Sequence, residues 1–234
     1  MSPCTARPNE GDEHVDGDVV IIGAGGHARE ALDVLEAVGE RHRFLGFLSD
    51  DPTDRPEVRR RGVAVLGPPE RLAELRCRFV VAVGSPLVRR RLLERATGSD
   101  DELGDLAIRL VHPTAVVSED AELGRGVYVP AGAIVQAGAT LSDHVHLNAN
   151  AVVGVDAQLD DFATLSPGAV VERQAHLEEG VMLGAGAMVC QGVEVGAWSV
   201  VGAGSVVTKA VPRGVTVTGV PHRLVRGPDG RARP

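Results

Sequence analysis

Aromatic residues are scarce in this sequence. Phe, Trp and Tyr together make up 3% of 234 residues, although 44% of the chain is hydrophobic. A core with so few rings is built from Val, Leu, Ile and Ala, which favours a narrow, regular architecture that bulky side chains would distort. Cysteine is also scarce. Cys4, Cys77 and Cys190 are odd in number and far apart, so no disulfide framework and no metal-type spacing is expected. No apolar run reaches the length of a membrane span. The opening stretch, including "NEGDEHVDGD", is polar and acidic and lacks the apolar segment of a secretory signal. A soluble cytoplasmic protein is the expectation. Basic residues are outnumbered, 24 against 32 acidic, giving a net charge of −8, which argues against binding nucleic acid by phosphate neutralisation. Arginine triplets at 59–61 and 89–91 lie among acidic residues, and Arg59 to Arg61 reads as a solvated helix face or loop.

Glycine is abundant, at 29 residues, so the chain turns often. The first half alternates two patterns. "VVII" (Val19 to Ile22) reads as a buried strand followed by a glycine-rich turn. Ala28, Ala31, Leu32, Leu35 and Val38 then recur at helical spacing. "RFLGFLSDD" reads as a second strand ending in two carboxylates, and "RFVVAVGS" (Arg78 to Ser85) as a third. "PLVRRRLLERA" follows as a helix with Pro86 near its first turn, and "IRLVHP" (Ile108 to Pro113) as a fourth short strand. Such alternation implies a parallel sheet with helices on its faces, with ligands at the C-terminal ends of the strands. Those ends carry Gly23 to His27, Ser49 to Asp51, and Gly84 to Ser85.

From Val117 the pattern changes. Every sixth residue from 117 to 207 is Val or Leu, and the fourth residue after each is Ala, Ser or Val. Neither the helical period nor plain strand alternation makes a small residue recur only every sixth position. Hexapeptide repeats are the signature of a parallel β-helix. The aliphatic residue points inward, and the small residue two places before it lets the chain round a corner. Coils stack about 4.8 Å apart, which leaves no room for inward Phe or Trp.

"IIGAGGHARE", "GFLSDDP", "VAVGSPLVRRRL", the hexads opening with "HPTAVVSEDAELG", and the ending "VVGAGSVVTKAVPRGVTVTGVPHRLV" together resemble the left-handed β-helix acyltransferases. The resemblance spans roughly residues 18 to 225. It is closer to the group of sialic acid O-acetyltransferases and N-acetyltransferases of nucleotide-linked amino sugars. It implies three hexads per triangular coil, a homotrimer, and acetyl-CoA or another acyl-CoA between neighbouring helices, with no metal. "GAGGHA" lacks the GxGxxG spacing of the dinucleotide fingerprint. In the family this turn meets the nucleotide-sugar, and backbone N–H groups at a helix N-terminus suit a diphosphate. By carry-over Gly25, Gly26 and His27 contact the substrate, Asp50 and Asp51 hold the base or ribose, and Gly84 lines the same pocket. Thr164, Ala185 and Ala203 match the acyl-CoA positions, and Lys209, Arg213 and Arg223 follow near the top.

One departure matters. The family places a basic histidine at the corner where this chain has Val155; Asp156 matches its acidic neighbour, and Thr164 replaces a second family histidine. Acylating an alcohol needs a general base. Three readings therefore stand. The first is an N-acyltransferase in which a neutral sugar amine attacks directly, helped by positioning. The second is an O-acetyltransferase of a sugar or sialic acid with a relocated base, His176 or His146, each otherwise a surface histidine. The third is an inactive sugar-nucleotide-binding trimer. His144 is expected to face solvent, His112 to cap the domain junction, and Cys190 to be inert. The expected fold is a small Rossmann-like α/β domain followed by an all-β left-handed parallel β-helix. Its boundaries are a disordered tail over 1–17, the nucleotide-sugar domain over 18–112, the acyltransferase β-helix over 113–215 and a C-terminal extension over 216–234, whose "GPDGRARP" is expected to be disordered.

Overall fold

The computed structural model describes residues 17–50 and 61–227. Asp51, Arg59, residues 1–16 and the final "PDGRARP" fall outside these residues.

The N-terminal unit is a four-stranded parallel sheet of β1 (Val19–Ile22), β2 (Phe44–Leu48), β3 (Val65–Gly67) and β4 (Arg78–Val81), in the order β3-β2-β1-β4. β1 and β4 are buried on both faces, which explains their continuous apolar runs. Helix α1 (Gly26–Ala37) buries Ala28, Ala31, Leu32, Val34 and Leu35 against one face. Two short helices, α2 (Leu72–Leu75) and α4 (Asp101–Asp105), and the longer α3 (Pro86–Thr97) cover the other. Gly23 has φ +114°, and a Cβ there would stand 2.9 Å from the Ala82 carbonyl oxygen. Only glycine lets the β1–α1 turn pass so close to β4.

The second unit is a triangular prism of two-residue strands in three parallel sheets, each pairing residues eighteen apart, such as Val152 with Val170 and Gln158 with His176. It is a left-handed parallel β-helix. The inward aliphatic residues and the small corner residues, from Ala121 to Val217, form one continuous buried column.

The three sheets differ in what they turn outward. The five-stranded sheet presents Glu122, Thr140, Gln158, His176 and Glu194, a polar face. The six-stranded sheet presents Val116, Ile134, Val152, Val170, Met188 and Val206, an unbroken apolar face on which Val116 is 62% exposed. The eight-stranded sheet presents Leu110, Tyr128, His146 and Thr164, all buried beneath the N-terminal unit.

Two expectations need revision. Leu110–Val111 (β5) pairs with Tyr128–Val129 in the β-helix, so it is the first rung of the prism rather than a fourth strand of the α/β sheet. The sheet's remaining strand is β3, only three residues long. Beyond residue 215, Thr216–Thr218 still pairs with Val200–Val201, and Arg223–Arg226 returns antiparallel against it. The extension therefore completes the docked sheet.

Candidate active site

At the edge between the apolar and polar faces lies a cavity of about 550 Å³, lined by Gln136, Val152, Gly154, Val155, Val170, Val171, Glu172, Arg173 and Gln191. Its floor is set by the repeat. Residues eighteen apart stack in adjacent coils, so Arg173 stands one rung above Val155 and Gln191 one rung above Arg173.

Two corner N–H groups on this prism are capped by a carboxylate from the coil below. The Glu172 carboxylate accepts from the Gln191 N–H at 2.8 Å, and the Glu178 carboxylate from the Ala197 N–H at 2.7 Å. In each pair the acceptor sits nineteen residues earlier. For Arg173 that position is Gly154, which has no side chain. A Cβ at Gly154 would stand 2.6 Å from the Arg173 nitrogen. Among the described residues the Arg173 N–H has no acceptor, and its guanidinium has no hydrogen-bond or ion-pair partner. The cavity therefore offers an uncapped backbone donor, a free cation and four valines, and no imidazole.

The histidine candidates sit elsewhere. His176 points from the polar face and pairs with Asp160 at 3.0 Å, outside the cavity lining. His146 is fully buried, and its outward position is covered by the N-terminal unit. A 3.1 Å hydrogen bond joins its Nδ1 to Nε2 of His27, its own Nε2 has no partner, and burial pulls its pKa well down. His144, expected in solvent, is 5% exposed and stacked on Phe162, and burial lowers its pKa to about 4. Thr164 does not reach the cavity either. It lies on the docked sheet, faces the N-terminal unit, and accepts from Nη2 of Arg89 at 2.9 Å.

Arg89, in the second arginine triplet, is 0% exposed. Its guanidinium donates to the Val83 carbonyl of its own domain and to the His144 and Phe162 carbonyls, tying α3 to two successive rungs of the prism. Burial lowers its pKa to about 9, so it stays protonated at neutral pH. Beside it, Arg90 meets Glu179 at 3.1 Å and lies over the Trp198 ring. The two domains are thus latched along one corner.

The strand ends of the N-terminal unit form a second set. Gly25 is the N-cap of α1 and Gly26 its first residue, and no N-cap side chain satisfies the first-turn N–H groups. A Cβ at Gly25 would meet nothing within 4 Å, and one at Gly26 only the end of Arg29, at 3.9 Å. His27 differs from expectation: its ring turns into the domain junction, edge-on to Tyr128, with Nδ1 3.3 Å from Glu30. Both Asp50 carboxylate oxygens accept from Arg95 at 2.7–2.8 Å, and Arg95 also meets Glu70. Arg95 holds the Asp50 carboxyl below its ordinary range. The Gly84 carbonyl lies 3.5 Å from Arg89. Ala185 and Ala203 sit at the corner between the docked and apolar faces, across the apolar face from the cavity. His112 accepts from Thr114 at the domain junction. No group of three or more metal-type side chains occurs among the described residues.

With this geometry in view, comparison with known proteins is informative. Residues 18–96 match the PglD N-terminal domain, and residues 174–209 match the bacterial transferase hexapeptide (six repeats). The perosamine N-acetyltransferase of Caulobacter crescentus, solved with CoA and GDP-perosamine, superposes with a TM-score of 0.79 at 35% identity, over 89% of this chain and 97% of that one. The chain belongs to the left-handed β-helix family of nucleotide-amino-sugar N-acetyltransferases.

Two of the Caulobacter structures carry a replaced histidine, asparagine in one and alanine in the other. The acetyltransferase domain of PglB from Neisseria gonorrhoeae, also solved with acetyl coenzyme A, has a TM-score of 0.77 at 33% identity, over 88% of this chain and 98% of that one. The UDP-N-acetylbacillosamine N-acetyltransferase of Bacillus subtilis is 37% identical over 120 residues, which is 49% of this chain and 51% of that protein. The matched stretch thus spans about half of that curated relative.

Sequence reasoning missed three members of this family member's cavity and turn: Gly154, Arg173 and Arg29. Adding 18 to 155 gives 173, so the signal for Arg173 was present in the repeat itself. No helix among the described residues is long and apolar enough to cross a membrane.

Proposed function

We propose that this protein transfers an acyl group, acetyl in the simplest case, from CoA to the amine of a nucleotide-linked amino sugar by direct attack of the neutral amine. The observation that carries this is the cavity at Val155, which keeps a backbone donor for a thioester oxygen but holds no base. A developing negative charge on that oxygen is met by the Arg173 N–H, which Gly154 leaves open. Such preorganised donors contribute heavily to acyl transfer. Positioning supplies the rest. The amine nitrogen bonds to the acyl carbon, the carbon–sulfur bond breaks, and the amine's proton ends on the departing sulfur or on water. The relatives that bind CoA, acetyl-CoA and GDP-perosamine support the substrate classes.

In this reading the first turn of α1, at Gly25 and Gly26 with Arg29 beside it, takes the diphosphate, and Gly84 borders the same turn. Asp50 reaches the nucleoside through its ion pair with Arg95, and Asp51 is assigned there by family resemblance. His27 supports the junction from behind. The apolar face is covered by other copies of the chain in a homotrimer. A neighbour's Ala185 and Ala203 corner then closes over the cavity, and acyl-CoA lies between them. Lys209 stands on the same corner two rungs above Arg173 and is exposed, placed for a CoA phosphate. The cytoplasm, where acyl-CoA and nucleotide-sugars are made, is the proposed location.

The His176–Asp160 pair keeps an O-acetyltransferase as the second reading, since a carboxylate-supported imidazole is a competent base. Its position outside the cavity counts against it. The test is thiol release from acetyl-CoA with UDP-, dTDP- and GDP-linked amino sugars and with sialic acid, with the product mass confirming an amide. Release with an amino sugar supports the proposal. Release with sialic acid alone transfers the case to the second reading. Binding of a nucleotide-sugar without release by any acceptor leaves the inactive scaffold.

A further inference from the structure

The cavity has the acceptor's problem built in. A sugar amine attacks a thioester only when neutral, and no imidazole lines the cavity at Val155 to take its proton. The charged side chains lining the space are Glu172 and Arg173. Glu172 is engaged in capping the Gln191 N–H. Arg173 is exposed, has no partner among the described residues, and sits one rung, about 4.8 Å, above Val155.

We propose that the Arg173 guanidinium keeps the bound amine in its neutral, attacking form by making an ammonium beside it unfavourable. This rests on the N-acyl-transfer reading above and extends it. A cation one coil away disfavours a second cation in the same space, and closing the cavity with substrates strengthens the effect by excluding water. The deprotonation happens as the amine settles, its proton leaving to water, and no general base is needed afterwards. Other charged groups near this corner moderate the field. Asp156 lies one rung below, next to Val155; His176 and Asp160 pair with one another on the adjoining polar face, where Glu194 is the next rung; Lys209 adds positive charge two rungs above. Glu172 is the adjacent opposing charge, and one of its carboxylate oxygens is occupied by the Gln191 N–H. The same residue thus supplies two things: its N–H faces the thioester oxygen and its side chain faces the nucleophile.

The experiment is the pH profile of kcat for thiol release, which reports groups in the bound complex, with the amino sugar found active above. It is measured for the wild type, Arg173→Gln and Arg173→Lys. The expected result is that the acid limb of Arg173→Gln moves up by about one pH unit, a roughly tenfold loss of kcat below the limb with the plateau unchanged. Arg173→Lys keeps the wild-type limb. Thermal unfolding confirms that each variant folds, as expected for an exposed side chain. A limb that stays in place in Arg173→Gln overturns the inference. A raised KM for acetyl-CoA with an unmoved limb overturns it in favour of a phosphate contact, and a uniform loss at every pH in favour of a role confined to the oxygen. Absence of turnover by the wild type at every pH refutes the N-acyl-transfer reading itself, which separates the two failures.

Discussion

His144 converts the docking of the two domains into a pH dependence that can be worked out in advance. The ring is 5% exposed, stacked on Phe162 with centroids 5.4 Å apart, and its Nδ1 has no partner. Burial lowers its pKa from 6.5 to about 4. Between those values the unfolded chain binds the proton and the folded chain does not. The stabilising contribution is therefore complete above about pH 6.5 and is lost as the pH falls toward about 4. Integrating over the window gives a loss of about 1.4 kcal/mol by about pH 5.5 and about 2.5 kcal/mol by about pH 4.5. His27 and His146 are lowered by burial too and steepen the fall, so the variant His144→Phe, which keeps the stack and removes the titration, isolates the share of His144. Urea unfolding followed by the fluorescence of Trp198, the sole tryptophan, is measured at about pH 7.5 and about pH 4.5 at one protein concentration. The wild type should lose about 2 to 2.5 kcal/mol more than the variant across that interval. Equal losses would show that His144 is protonated in the folded state, and that the domain junction admits water the structure does not show.

Three further outcomes follow from the same geometry. Arg89→Met leaves the carbonyls of Val83, His144 and Phe162 without their donor and should cost about 3 kcal/mol of stability by urea unfolding; a change under about 1 kcal/mol would mean that these groups rehydrate freely. His176→Ala should leave thiol release within about twofold of wild type, and a loss of a hundredfold would restore the relocated-base mechanism. Val170→Asp puts a charge on the apolar face and should convert the proposed homotrimer to single 24.4 kDa chains by light scattering; an unchanged mass would refute the proposed use of this face.

The repeat was legible because side-chain direction in a coil of this kind is fixed by position alone. Val153 or Leu159 points inward in any register that works, and a slip of one residue would expose the whole column. The same rule read at eighteen residues rather than six separates the faces. Tyr128 stacks with His146, Val152 with Val170, and Gln158 with His176. Reading the repeat without the docked domain left His144 and His146 as surface residues. Outward from the prism is not outward to water when another domain sits on that face. β5 was misassigned for a related reason: Leu110–Val111 is an apolar pair that either sheet would accept, and local pattern does not say which. Arg89 was hidden because three consecutive arginines on an amphipathic helix read as a solvated face. It took the facing carbonyls of the prism to hold a guanidinium there.

A fold made by repetition does its chemistry where the repetition fails. At the corner above the cavity Glu172 caps the Gln191 N–H. One rung lower the corresponding position is Gly154, which has no side chain to cap the Arg173 N–H. Val155, the next residue, sits where family resemblance expects a basic imidazole. Had Val155 alone changed, the site would have lost its base and kept only the donor. With Arg173 directly above, the loss coincides with a cation that makes the base less necessary. The histidine's task of removing a proton after binding is then done by a field that refuses the proton on entry. That is open to an amine, whose pKa lies close enough to neutrality for a neighbouring charge to matter, and closed to a sugar hydroxyl, which no single cation can bring into range. The identities of residues 154, 155 and 173 together therefore point to nitrogen rather than oxygen as the acceptor atom.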